Sequence, residues 1–185
     1  LLYGTPAPLE SRQAVELLRM CLDAGYDRAQ TLTAVNGMML LAGQGERFTT
    51  VDLFLLDLWT GKASLDKLGA AGSYLMQSEG LSLLGGDAVS LGILENVESG
   101  EKLMQLHQGD TLILLSDGVE DAYENRQAME EAIRDALTLE TAQDAANAIL
   151  TGAQSGDTAP ADDQTVLVLR LIRARADAKI EEMYQ

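Results

Sequence analysis

With 185 residues, of which 46% are hydrophobic and 23% charged, the sequence has the size and composition of one globular domain with a substantial core, not of a disordered or fibrous chain. Lys and Arg number 13 against 29 Asp and Glu, and the resulting formal charge of −16 repels phosphate backbones, argues against nucleic-acid binding and attracts divalent cations. A single cysteine (Cys21) and a single histidine (His107) exclude an internal disulfide, a Cys-based zinc cluster and any multi-His centre, so metal chemistry here must use oxygen ligands.

The first element reads as a helix. Ala14, Leu17, Leu18 and Cys21 recur at helical spacing, Val15 and Leu22 widen the stripe, and Arg12, Glu16, Arg19 and Asp23 lie on or near the other face. Cys21 continues that apolar face and reads as core packing. Gly25 supplies a C-terminal stop. Asp27, with Gln30 three residues later, forms a capping-box pattern for a second helix running to about Leu41.

The period then changes. Phe48 to Leu58 is rich in Val, Leu, Phe and Thr and ends at Trp59-Thr60-Gly61-Lys62, a hairpin signal, with Ala63 to Gly69 as the return strand. Short apolar stretches follow at Ser73–Gln77, Leu81–Leu84 and Ala88–Leu91. Gly109-Asp110 turns the chain into a strand at Thr111–Ser116, whose run Leu112 to Leu115 predicts burial on both faces. A helical region to about Leu137 comes next, then a helix from Thr141 to Thr151, a mobile polar loop over Gly152–Ala161 and a strand over Thr165–Ile172. The tail from Arg173 reads as a helix or a frayed end. This order is α+β, in one domain spanning 1–185; without alternating strand–helix units or phosphate-binding glycine motifs, a doubly wound nucleotide-binding sheet fits poorly.

Two acidic motifs stand at the edges of buried strands. Ser116-Asp117-Gly118 places a carboxylate at the C-terminal end of one strand, and Asp162-Asp163-Gln164-Thr165 places a pair at the entrance to the last. Carboxylates on rigid strand ends suit hard cations such as Mg²⁺ and Mn²⁺. Each motif alone also reads as an ordinary polar turn. Asp52 and Thr50 serve hairpin register as readily as catalysis, Lys67 reads as a surface strand lysine in preference to an anion contact, and His107 as a surface or packing residue.

Taken together and in order, Thr50-Val51-Asp52-Leu53, Asp57-Leu58-Trp59-Thr60-Gly61, Lys67-Leu68-Gly69-Ala70-Ala71, Gly92-Ile93-Leu94, Gly109-Asp110, Ser116-Asp117-Gly118 and Asp162-Asp163-Gln164-Thr165-Val166 resemble the stage II sporulation protein E family of PPM (type 2C) phosphatases. Ser90 stands where that family usually has proline, and Glu10-Ser11-Arg12 resembles the opening of its first helix. The resemblance implies a β-sandwich flanked by helices in αββα layers. It also implies a metal-dependent Ser/Thr protein phosphatase with two Mn²⁺ or Mg²⁺ ions. Asp117 and Asp162 match ligand positions that carry catalysis, Gly118 completes the metal-binding turn, and Asp163 supports it. The implied substrate is a phosphorylated regulatory protein of the anti-sigma-factor-antagonist type, with control acting through helices corresponding to residues 9–42, a movable or homodimeric surface.

The family's first aspartate motif, of the Asp-Gly-Met-Gly type, belongs just before the Glu10 helix, where Leu1 to Pro6 stand instead. The expectation is therefore a domain lacking its N-terminal strands, and a non-catalytic PPM-fold interaction module is the alternative. With no apolar run near the roughly 20 residues of a bilayer span and no signal-peptide pattern, the expected compartment is the cytoplasm, with any membrane anchor elsewhere in the parent protein.

Overall fold

A computed structural model describes residues 9–43, 48–85, 88–97, 100–155 and 162–172; the expectations for the tail from Arg173 and for most of the 152–161 loop fall outside them. Helices α1 (Leu9–Asp23) and α2 (Arg28–Gly43) open the chain. The capping box forms as read: Gln30 N–H donates to Asp27 Oδ1 at 2.8 Å, and Asp27 N–H donates to Gln30 Oε1 at 3.1 Å. Strands β1 (Val51–Leu56), β2 (Lys62–Leu68), β3 (Ser73–Gln77) and β4 (Gly80–Leu84) follow, then β5 (Lys102–Gln105) and β6 (Thr111–Leu115). The chain continues through α3 (Asp117–Glu120), α4 (Arg126–Ala136), α5 (Ala142–Ala153) and β7 (Val166–Arg170).

The strands form two antiparallel sheets, ordered β1-β2-β5 and β4-β3-β6-β7. Alternation along each strand decides the layers. Phe54, Leu65, Leu75, Met104, Leu112 and Leu114 share apolar clusters between the sheets. Leu53 and Leu68, on the opposite face of the first sheet, pack against Ala14, Leu18, Cys21, Leu32, Val35 and Met39 of α1 and α2. Tyr74, Ile113 and Val168 on the outer face of the second sheet pack against Met129, Ile133, Ala145 and Ile149 of α4 and α5. The result is helix pair, sheet, sheet, helix pair. Burial on both faces explains the unbroken apolar run of β6, all five residues of which are buried.

Two local features depart from the sequence reading. The helical region after Asp117 breaks at 121–125, because Asn125 caps a new helix, its Oδ1 accepting from Ala128 N–H at 2.9 Å. Strand β5, in a stretch to which the sequence reading assigns no element, pairs with β2 at the sheet edge.

The β1–β2 hairpin is closed by Asp57, whose Oδ1 accepts from the N–H groups of Trp59 (2.8 Å) and Thr60 (3.2 Å). The Thr60 hydroxyl, followed by these backbone donors, holds the Asp57 carboxyl below its ordinary value. A lowered carboxyl stabilises the fold only while ionised, so its contribution is present above the ordinary carboxylate range and fades as pH falls through the lowered value. Asp57→Ala should lower Tm at neutral pH, with the gap to the parent closing in acid; a gap independent of pH would refute this assignment.

Candidate metal centre

The ends of β6 and the start of β7 lie side by side, with Leu115 paired to Val166. Beyond the strands the ladder runs one residue further, Ser116 N–H donating to the Thr165 carbonyl at 3.0 Å. The Ser116 side chain then staples the two acidic turns: its Oγ donates to the Asp163 carbonyl at 3.0 Å and accepts from Thr165 N–H at 2.9 Å. Gln164 adds a second link, its Nε2 donating to the Gly118 carbonyl at 3.1 Å. Gly118 is buried, and a Cβ there would sit 2.6 Å from the Asp163 carbonyl oxygen and 3.1 Å from that of Asp162. Only glycine permits this approach of two backbones.

Asp117, Asp162 and Asp163 are exposed on the joined turns. Asp117 Oδ1 accepts from Gly118 N–H at 2.9 Å and Asp162 Oδ1 from Asp163 N–H at 2.7 Å, which fixes one oxygen of each carboxylate and leaves the other without a protein donor among the described residues. The buried Oε1 of Gln164 likewise has no partner. Every donor here is a hard oxygen, the set that Mg²⁺ and Mn²⁺ take. Among the described residues no group of three or more Asp, Glu, His or Cys comes together closely enough to hold an ion. Removing the staple tests its strength: Ser116→Ala should cost about 1–3 kcal/mol, since the Thr165 N–H and the Asp163 carbonyl lose their partner. Unchanged denaturant midpoints would show that the turns are held by other means.

At the same end of the sandwich, Asp52 of β1 stands opposite Lys67 of β2. Lys67 corrects the sequence reading, because it is 1% exposed rather than at the surface. Its Nζ donates to both carboxylate oxygens of Asp52 (2.7 and 2.9 Å) and to Ser73 Oγ (2.9 Å). Burial pushes the Asp52 carboxyl up, against the Lys67 ammonium and the Ser73 hydroxyl, which pull it down. Sequence reasoning missed Ser116 as a staple, Gln164, and Glu120, whose Oε2 accepts from Gly72 N–H at 3.2 Å. For Ser116 a signal was present, a hydroxyl one residue before the turn. For Glu120 and Gln164 the partners are distant in sequence. His107 precedes the opposite end of β6, on the surface, with a 71% exposed side chain.

Two face-to-face antiparallel sheets between helix pairs, with acidic turns joined at the ends of neighbouring strands, have the architecture of PPM (type 2C) phosphatases. The phosphatase domain of SpoIIE from Bacillus subtilis, solved with a fragment of its regulatory domain, superposes with a TM-score of 0.78 at 25% identity over 92% of this chain and 52% of that one. The serine/threonine phosphatase PstP, solved with two manganese ions, gives 0.71 at 19% identity over 89% of this chain and 81% of that one, a likeness of fold. The chain belongs to the stage II sporulation protein E (SpoIIE) family, whose model matches residues 3–172. The Bacillus subtilis family member is 27% identical over 116 residues, which is 63% of this chain and 14% of that protein's length. No helix among the described residues is long and apolar enough to cross a membrane.

Proposed function

We propose that the chain, as a single domain over 1–185, is a metal-dependent Ser/Thr protein phosphatase domain in which Asp117 and Asp162 are metal ligands, Gly118 keeps their turns in contact and Asp163 supports them. The observation that carries this reading is the junction itself: Ser116, Gly118 and Gln164 bring two acidic turns, remote in sequence, into backbone contact. The proposed cofactors are two Mn²⁺ or Mg²⁺ ions, as in the manganese-bound neighbour. When bound, they lower the pKa of water and neutralise charge on a phosphoryl group.

The residues themselves have three tasks. Asp117 and Asp162 present anionic oxygens from strand ends whose backbone is fixed by the β6–β7 ladder, so little reorganisation is needed on loading. The Gly118 and Asp163 N–H groups orient those carboxylates by binding one oxygen of each. The excess acidic charge draws cations toward the protein. The proposed substrate is a phosphoserine or phosphothreonine of a regulatory protein, of the anti-sigma-factor-antagonist type.

The test is phosphate release from a phosphoserine protein by the full-length gene product that carries this sequence. Release should require Mn²⁺ or Mg²⁺ and stop with EDTA; phosphate release unaffected by EDTA would refute the metal mechanism. A second reading, a non-catalytic interaction module, is favoured by the single observation that no three-carboxylate group forms among the described residues. It predicts binding of the phosphoprotein without turnover.

A further inference from the structure

The residues Asp52, Lys67 and Ser73 take no part in the chemistry above, yet they bury a charged pair between the sheets. Asp52 shares its strand face with Phe54, Lys67 with Leu65 and Ser73 with Leu75, all of which line the space between the sheets. Lys67 is the main bridge: two of its bonds go to Asp52 within the first sheet and one goes to Ser73 of the second, whose Oγ in turn donates to Asp52 Oδ2 at 3.4 Å. Burying an ammonium in this way is costly, and replacement of such a pair by apolar side chains is often neutral or stabilising, so stability alone is a poor account of it.

What the bridge holds is the segment carrying Asp117. Ser73 pairs with Leu114, just before the Asp117 turn, and Gly72 donates to Glu120, just after it. Asp117 therefore lies between two anchors, both fastened to Gly72-Ser73. A shift of the start of β3 relative to the first sheet moves both anchors together. The same end carries the start of β7 and the Asp162 turn, joined through Ser116.

We infer that Lys67, through Asp52 and Ser73, is a positioning residue that ties the two sheets together beneath the candidate metal centre and sets the place of the Asp117 turn. The inference rests on the phosphatase reading for its link to metal binding, but its mechanical part stands on the metal-free protein.

Ser73→Ala is the sharpest variant, because it removes both side-chain bonds to the second sheet and leaves the Asp52–Lys67 pair intact. Asp52→Leu/Lys67→Met, which removes both charges and both partners of Ser73 at once, guards against misfolding from an unpaired buried ion. In metal-free full-length protein, amide exchange at Gly72 and at residues 119–121 should accelerate roughly tenfold in both variants, while the amides of α5 keep the parent's rates. The Mn²⁺ dissociation constant should rise by roughly tenfold, the scale of outer-sphere substitutions. Unchanged exchange at 119–121, or acceleration shared equally with α5, would overturn the proposal, the second outcome marking a general loss of stability. If the unaltered protein itself binds no Mn²⁺, the phosphatase reading falls and the exchange result alone decides the tie.

Discussion

Asp117→Asn is expected to lower Mn²⁺-dependent phosphate release by roughly 100-fold or more, about 2.7 kcal/mol of lost transition-state stabilisation. Asparagine keeps the shape and can still accept from Gly118 N–H through its amide oxygen, so the turn survives while the charge goes. Because Asp117 is exposed, denaturant stability should stay within about 0.5 kcal/mol of the parent. That separation matters: a loss of activity with an intact melting curve assigns the carboxylate to the chemistry. Full activity in the variant would remove Asp117 from the metal centre.

Gly118→Ala should have the opposite balance, acting first on structure. The added methyl would meet the Asp163 carbonyl oxygen at 2.6 Å and that of Asp162 at 3.1 Å, and both obstacles are backbone. Neither can swing aside as a flexible side chain would, so the two turns must separate. A cost of about 1–3 kcal/mol is expected from such overpacking, measured by urea unfolding. Separation also strains the Gln164 bond to the Gly118 carbonyl and the Ser116 bond to the Asp163 carbonyl, so Mn²⁺ affinity should fall in parallel. An alanine variant as stable as the parent, with parent affinity, would show that the contact between the turns is dispensable.

Much of this was legible in the residues, and the exceptions share a cause. The helix pair, the hairpin and the buried run of β6 were readable because periodicity and turn chemistry are local signals. Asp117, Asp162 and Asp163 were readable as carboxylates at strand edges, and the order of motifs matched the SpoIIE family. Lys67 was misread because its environment is made by Asp52 and Ser73, and nothing in the immediate sequence marks a strand lysine as internal. Strand β5 was missed because Lys102–Gln105 is short, and its pairing is with β2 alone. The break between α3 and α4 was hidden by polar residues that suit a helix surface, and only Asn125 hinted at it. Glu120 and Gln164 acquire their roles from backbone groups brought close by the folded sheets.

The most direct measurement is calorimetric titration of Mn²⁺ into the full-length protein and into Asp117→Asn/Asp162→Asn. Mn²⁺ should bind the parent and fail to bind the double variant, with the melting curve retained. Parent-like Mn²⁺ binding by the double variant would contradict the claim that these two turns together hold the cation.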